Sequence, residues 1–117
     1  MATTEPISEK ARVFEPVPVE SIAIRSGSRV FGLRVPDSSL RPKLILPGDI
    51  AVCEHRVEPR HGDVVAALVD GASVLRVWAV QSGRAVLCCP DGQTPPVSAA
   101  GLVIQGVVVQ VVRTRVQ

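Results

Sequence analysis

The sequence predicts a mostly β domain, and its composition gives three reasons. Apolar residues make up 46% of the chain and are rich in valine, whereas aromatic residues make up only 3%. In addition, 9 glycines and 10 prolines divide the apolar residues into short runs. Valine favours strands, and Gly and Pro favour tight turns between them. A length of 117 residues is enough for one domain with a modest core.

The strands are expected after a polar N-terminal arm. Residues 1–15 show no sustained hydrophobic period and are interpreted as a flexible arm, which leaves residues 16–117 as the domain. Between residues 30 and 35 the apolar side chains alternate, which places Phe31, Leu33 and Val35 on one face of a half-buried strand. Asp70-Gly71 is a two-residue hairpin signal. Further strands are predicted over residues 50–53, 64–69, 73–80, 85–89 and 103–113, with a short one at 97.

Charge and composition argue against several classes of function. The net charge of +2 is spread along the chain without a block of Lys or Arg, so direct nucleic-acid binding is not expected. No apolar run reaches the roughly 18 residues of a membrane span, and the first residues lack the apolar core of a signal peptide, so a cytoplasmic protein is expected. Cys53, Cys88 and Cys89 have no metal-ligand spacing and are interpreted as reduced, small apolar residues. No cofactor is implied.

A candidate site lies at the turn that follows the first clear strand. Ser38 and Ser39 are placed there between two apolar strands, where a hydroxyl can be exposed while its backbone is held rigidly. Pro36, Pro42 and Pro47 bound these strands, since proline cannot donate a ladder hydrogen bond. Taken alone, such a serine is most simply a turn residue whose hydroxyl satisfies nearby backbone groups.

The same stretch resembles the serine/lysine peptidase domain shared by LexA, phage repressors and UmuD. That family has a phrase F-x-L-R-V-x-G-x-S-M followed by G-(I/V)-x-(D/P)-G-D, and its serine is the nucleophile. The matching residues here are Phe31, Leu33, Arg34, Val35, Ser39, Ile45, Gly48 and Asp49, and the closing phrase matches at Ile104, Gly106, Val108, Val112 and Arg113. The likeness covers about residues 30–113. It implies a LexA-like fold of curled antiparallel sheets (β-clip type), and this chain is expected to lack an N-terminal helix-turn-helix.

The chain departs from the family at residues that would carry the chemistry. Asp37 replaces the glycine before the serine, and Leu40 replaces the methionine after it. The family's V-K-R phrase, whose lysine deprotonates the serine, aligns best with residues 74–76, which places Leu75 at the base position. A shift of one residue places Arg76 there, and a guanidinium cannot act as a neutral base at pH 7.

Other bases for Ser39 are few. Lys10 and Lys43 are the chain's two lysines; Lys10 falls in the predicted arm, and Lys43 would have to fold back from the serine turn. His55 and His61 flank a loop, but no third group of known spacing orients either one. A serine/lysine dyad requires a desolvated amine within hydrogen-bond reach, so the resemblance predicts an inactive peptidase with Ser39 as a vestigial nucleophile.

The expected function is therefore that of a regulatory module which acts by association. The resemblance implies a role in transcription or in the DNA-damage (SOS) response, with a homodimer and a protein or peptide partner in the cleft as the expected interactions. Two alternatives remain open at this point. One is an active, self-cleaving serine peptidase that uses Ser39 with a relocated base, and the other is the C-terminal half of a phage-type repressor.

Overall fold

A computed structural model describes residues 13–19, 29–55 and 58–113 of the chain. Within these residues the protein consists of strands and one short 3-10 helix, and no helix there is long and apolar enough to cross a membrane. The strands are β1 (Glu15–Val17), β2 (Val30–Arg34), β3 (Ile50–Glu54), β4 (Val64–Val69), β5 (Ala72–Gln81), β6 (Arg84–Cys88), β7 (Val97–Ser98) and β8 (Val103–Val112), and the 3-10 helix spans Arg41–Lys43.

All eight strands form one sheet in which every neighbouring pair is antiparallel. Their order is β1-β2-β3-β8-β4-β5-β6-β7, so the last strand lies in the middle of the sheet, between β3 and β4. The prediction of a mostly β, LexA-like fold built from curled antiparallel strands is confirmed. The structure unites the expected sheets into a single one.

Two hairpins join β4 to β5 and β5 to β6. At the first, Asp70 and Gly71 have φ angles of 51° and 83°, as a two-residue turn with both central residues left-handed requires. The predicted Asp70-Gly71 hairpin is therefore present. The second turn, at Ser82-Gly83, has φ angles of 52° and 76° and was not predicted, although Ser-Gly is also a turn signal.

The sheet is covered by apolar contacts on both faces of β4. Val64 and Ala66 belong to a large cluster with Leu33, Leu40 and Leu75, whereas Val65 and Ala67 belong to a second cluster with Leu87 and Val107, against which Trp78 packs. Successive side chains of a strand point to opposite faces, so one strand supplies both clusters. This explains why residues 64–69 are an unbroken apolar run.

Strand β8 carries two bulges that bend it. Its register with β3 shifts between Val52 and Cys53, which pair with Gln110 and Val108, and its register with β4 shifts between Ala66 and Ala67. An extra residue on one strand of an antiparallel pair increases the local twist and bends that strand. The bulges therefore curl the sheet at its centre, so that its two ends do not lie in one plane.

The predicted arm falls mostly outside the described residues. Of residues 1–15, the structure describes the last three, and Phe14 among them is buried in the large cluster. Glu15 begins β1, which pairs with β2. The side chain of Phe14 thus contributes to the core of the domain.

One ion pair joins the end of β8 to the loop that precedes β3. Asp49 is only 1% exposed, and its two carboxylate oxygens accept hydrogen bonds from Nε and Nη2 of Arg113, each at 2.8 Å. The backbone N–H of Leu46 also donates to Asp49, and Nη2 of Arg113 donates to the Leu44 carbonyl at 3.2 Å. A buried carboxylate needs such donors, because burial without partners disfavours its charge.

These contacts change the acidity of Asp49. The hydrogen bonds from Arg113 hold the pKa of the Asp49 carboxyl below its ordinary value; burial opposes this shift, and the bond from Leu46 adds to it. A carboxylate whose pKa is lower in the folded than in the unfolded chain stabilises the fold fully at neutral pH. That contribution is lost as the pH falls through the ordinary aspartate range towards the lower, folded-state pKa.

We therefore expect acid to weaken the domain partly through Asp49. Urea unfolding should show a free energy of unfolding that is steady above about pH 5 and declines below about pH 4. Asp49→Asn should be less stable than wild type at pH 7 and should show a smaller decline in acid. Asp70→Asn is the matched control, since Asp70 is exposed at a left-handed turn position that Asn tolerates. An equal acid decline in wild type and Asp49→Asn would contradict this account.

Candidate functional site

The serine turn is held at both ends by backbone hydrogen bonds. The N–H of Val35 donates to the Asp49 carbonyl, and the N–H of Gly48 donates to the Val35 carbonyl, both at 2.8 Å. Between these bonds, Pro42 lies within the short 3-10 helix that follows Ser39, and its fixed φ suits that position. The turn is thus a loop between β2 and β3 whose two ends are hydrogen-bonded to each other. The backbone of Ser39 is therefore held by both strands.

Asp37 organises the backbone at Ser39. Its Oδ1 accepts a hydrogen bond from the Ser39 N–H at 3.1 Å. This is the local arrangement by which an aspartate stabilises a turn two residues onward. The turn-capping carboxylate thus occupies the position at which the family phrase has glycine, and it engages the N–H of the serine that follows.

Ser38 and Ser39 line a cleft between the serine turn, the N-terminal segment and β5. Phe14 and Arg76 lie on its wall, and the loop after β6 completes it with Cys89 and Asp91. Among the residues that line it, the positively charged one is Arg76 and the negatively charged ones are Asp37 and Asp91. The cleft combines an apolar wall with charged groups of both signs, which suits an extended polar segment better than a small apolar ligand.

The two candidates for the base position lie on opposite faces of β5. Leu75 is fully buried in the large cluster, together with Leu40 from the serine turn. Arg76 is half-buried, lines the cleft, and donates from Nη1 to the Leu75 carbonyl at 2.9 Å. The structure therefore brings Arg76 to the same cleft as Ser39 and places the Leu75 side chain beneath it in the core.

The remaining candidate bases do not line this cleft. Lys43 lies exposed in the 3-10 helix, and Lys10 falls outside the described residues. His55 is exposed and its ring contacts that of Phe31, with 4.7 Å between centroids. His61 accepts a hydrogen bond at Nδ1 from the Val80 N–H at 2.9 Å, so its ring is held against the β5 strand. Of the described residues, no lysine or histidine shares the cleft with Ser39.

The three cysteines are free thiols, of which Cys53 and Cys89 are buried and Cys88 is partly buried. Burial raises the pKa of Cys53 to about 12, which leaves its thiol protonated at neutral pH. Burial also raises the pKa of Cys89, and a hydrogen bond with Asp91 adds to the effect. Cys89 therefore lines the cleft as a weak nucleophile. Within the described part of the chain, His, Cys, Asp and Glu side chains form no cluster of three or more that could hold a metal ion.

The sequence analysis did not identify Leu44, which has unusual backbone geometry. It ends the 3-10 helix with φ 64° and ψ 28°, in the left-handed region, and its side chain is 78% exposed. A residue with a Cβ in that region costs on the order of 1 kcal/mol relative to glycine. The family phrase G-(I/V)-x-(D/P)-G-D could have indicated this left-handed backbone. When its last residue is placed on Asp49, its first glycine falls on position 44, and glycine favours the left-handed region.

Comparison with known proteins gives consistent results. The family model described as Peptidase S24-like matches residues 1–109. The LexA repressor of Verrucomicrobium spinosum is 33% identical over 96 residues, which cover 81% of this chain and 47% of the relative. The LexA repressor of Anaeromyxobacter sp. (strain Fw109-5) is 35% identical over 79 residues, covering 67% of this chain and 34% of the relative.

A longer alignment joins the chain to the LexA repressor of Corynebacterium glutamicum, which is 28% identical over 113 residues; these cover 97% of the chain and 48% of the relative. The chain thus spans about half the length or less of these relatives. The family match over nearly the whole chain agrees with the serine turn, the Gly48-Asp49 pair and the closing strand described above. The chain belongs to the Peptidase S24-like family.

Proposed function

We propose that this chain is a member of the S24 family that does not cleave peptides and acts by association, either with a second copy or with another protein. The processes that it would serve are transcription or the DNA-damage response, which would place it in the cytoplasm. The observation that carries the proposal is the composition of the serine cleft, in which Arg76 is the cationic residue beside Ser39.

Acyl transfer by Ser39 would require a base. A serine hydroxyl attacks a carbonyl only when a neighbouring group accepts its proton. A lysine can do so when burial lowers its pKa, but an arginine side chain stays protonated and offers no lone pair. With Arg76 in the cleft and Leu75 in the core, β5 supplies no proton acceptor to Ser39 at either candidate position. Whether Leu75 or Arg76 occupies the position of the family's lysine, that position would lack a proton acceptor.

Acyl transfer by Ser39 would also form an oxyanion. Acyl transfer requires hydrogen-bond donors at the point where negative charge develops, and in serine peptidases the backbone N–H of the nucleophile is one such donor. Here the N–H of Ser39 already donates to the Asp37 carboxylate. An oxyanion at this place would lose that donor and would lie beside a second negative charge. Asp37 therefore opposes the transition state as well as stabilising the turn.

The cleft retains the features of a binding site for an extended segment. It has an apolar wall at Phe14 and Val74, a fixed cation at Arg76, and hydroxyls at Ser38 and Ser39. An extended partner segment can exchange backbone hydrogen bonds with a strand while its alternate side chains enter pockets. Without a base, such a cleft would bind an extended segment and would not cleave it.

The relatives support a second candidate, the regulatory half of a longer repressor. The proteins that match are named LexA repressors, and the chain corresponds to about half of the Verrucomicrobium protein. In that case association would govern the activity of a separate DNA-binding region. An in-frame helix-turn-helix segment upstream in the gene would favour this candidate over a free-standing module.

The intact mass of the protein tests the loss of cleavage. Purified wild type and Ser39→Ala should both keep an unchanged mass at pH 7 and at about pH 10, where a lysine of ordinary pKa begins to lose its proton. We expect no fragment in either arm, because no lysine or histidine of the described residues lines the cleft with Ser39. A discrete cut in wild type that is absent from Ser39→Ala would overturn the proposal. It would instead favour an active peptidase in which Lys43 or another relocated group serves as the base.

Exposed valines on strand β8 are an argument for association between two copies of the chain. Although it lies in the middle of the sheet, Val109 is 43% exposed and Val112 is 39% exposed, and Val109 is the extra residue of the bulge opposite β3. Exposed β-branched side chains at one end of a strand are a favourable contact for another apolar surface. We infer that this end of β8 is the surface through which the chain forms a homodimer.

Sedimentation velocity tests the dimer. Wild type should sediment as a dimer at tens of micromolar, whereas Val109→Lys should sediment as a monomer because a charge would be placed within the apolar contact. Val97→Lys is the matched control, since Val97 is also 43% exposed but lies on β7 at the edge of the sheet. A wild-type monomer, or equal sedimentation of wild type and Val109→Lys, would remove β8 as the interface.

A further inference from the structure

The tip of the serine turn carries an exposed apolar side chain among cations. Leu44 is 78% exposed, the largest exposed fraction among the large apolar residues that the structure describes as exposed. Arg41 and Lys43 precede it and are exposed, and Arg113 donates to its carbonyl at 3.2 Å. We call Arg41, Lys43, Leu44 and Arg113 the turn-tip surface. Leu44 does not line the serine cleft, so this surface is separate from the one considered above.

Neither burial nor backbone conformation accounts for a leucine at position 44. Its side chain is in water, so it contributes little apolar burial to the fold. Its backbone lies in the left-handed region, with φ 64°, where glycine or asparagine would fit with less strain. The family phrase also has glycine here. A strained and exposed leucine is therefore unfavourable for the isolated domain on two counts, and such outliers are often functional.

The charges around Leu44 indicate the kind of partner. The turn-tip surface has three cationic side chains. The carboxylate of Asp49 is buried and pairs with Arg113. Three positive charges and one negative charge give a net charge of +2. Arg41 and Lys43 are exposed to solvent beside Leu44. An exposed leucine that follows two exposed cations along the chain is complementary to an apolar side chain within an acidic segment. Such a segment would bury Leu44 and pair with the two exposed cations.

We propose that the turn-tip surface is a docking site for an acidic peptide segment of a partner protein that carries an apolar side chain. Leu44 supplies the apolar contact, and Arg41 and Lys43 supply charge complementarity and steer the approach. The turn-tip surface shares no residue with the serine cleft or with Val109 and Val112 of β8, although Arg113 directly follows Val112. Its test can therefore fail while the proposed function stands, and the reverse also holds.

Fluorescence anisotropy provides the binding test. The probe is a fluorescein-labelled peptide of about twelve residues, rich in Asp and Glu and containing two leucines. One control peptide has serine in place of leucine, and the other has Asn and Gln in place of the acids. We expect wild type to bind the probe at least fivefold more tightly than either control. Binding should weaken severalfold when salt rises from about 0.05 to 0.5 M, since salt screens exposed charges.

Substitution at position 44 separates docking from folding. Leu44→Asn should weaken probe binding about tenfold, in keeping with the loss of one buried leucine, without lowering the urea midpoint, because Asn tolerates the left-handed backbone. Lys43→Glu should weaken binding by a similar factor and remove most of its salt dependence. Val103→Thr is the matched control, because Val103 is 57% exposed on β8 and lies outside the turn-tip surface. It should bind as wild type does.

Amide chemical shifts locate the bound peptide. In a ¹⁵N-labelled sample, the probe should shift the amides of residues 41–46 and 113 and leave those of Val74 and Arg76 in the serine cleft unchanged. The proposal is overturned by equal probe binding in wild type and Leu44→Asn, by shifts confined to the cleft, or by no binding. It is also overturned if Leu44→Asn abolishes dimerisation, since the turn-tip surface would then serve contact between two copies.

Discussion

The ion pair between Asp49 and Arg113 connects the two parts of the chain on which the site depends. Asp49 belongs to the loop that closes the serine turn, and Arg113 follows directly after the central strand β8. Because the carboxylate is almost fully buried, its charge is compatible with the fold only while Arg113 and the Leu46 N–H donate to it. Arg113 in turn holds the carbonyl of Leu44. The geometry of the serine turn is therefore set partly by a residue 64 positions away in sequence.

On the alignment given above, the cleft departs from the serine/lysine peptidase pattern in two ways. In the proposed function, one departure would remove the proton acceptor, since Leu75 lies in the core and Arg76 in the cleft. The other places a carboxylate on the Ser39 N–H, where a peptidase needs a free donor. Either change alone would slow acyl transfer. Together they argue that restoring a lysine on β5 would not by itself restore cleavage.

Much of the fold could be predicted from the sequence, because its signals are local. The alternation over residues 30–35, the apolar run at 64–69 and the Asp70-Gly71 turn each predict an element that the structure contains. The order of the strands could not be obtained this way, since the insertion of β8 between β3 and β4 depends on contacts between distant residues. The bulges of β8 were missed for the same reason: an extra residue is visible only against its partner strand. At the site, position and residue type identified Ser39, but the Asp37 hydrogen bond and the left-handed Leu44 required coordinates.

The central position of β8 has a consequence for how the domain is made. Strands β3 and β4 are close in sequence yet do not pair, because β8, which is synthesised after both, lies between them. Until residues 103–112 have left the ribosome, the nascent chain carries two separate antiparallel units, β1 to β3 and β4 to β7, each with an unpaired inner edge. The complete sheet can therefore form only after residues 103–112 have been synthesised. During synthesis those two edges are the part of the chain most open to pairing with a neighbouring copy or to binding by a chaperone.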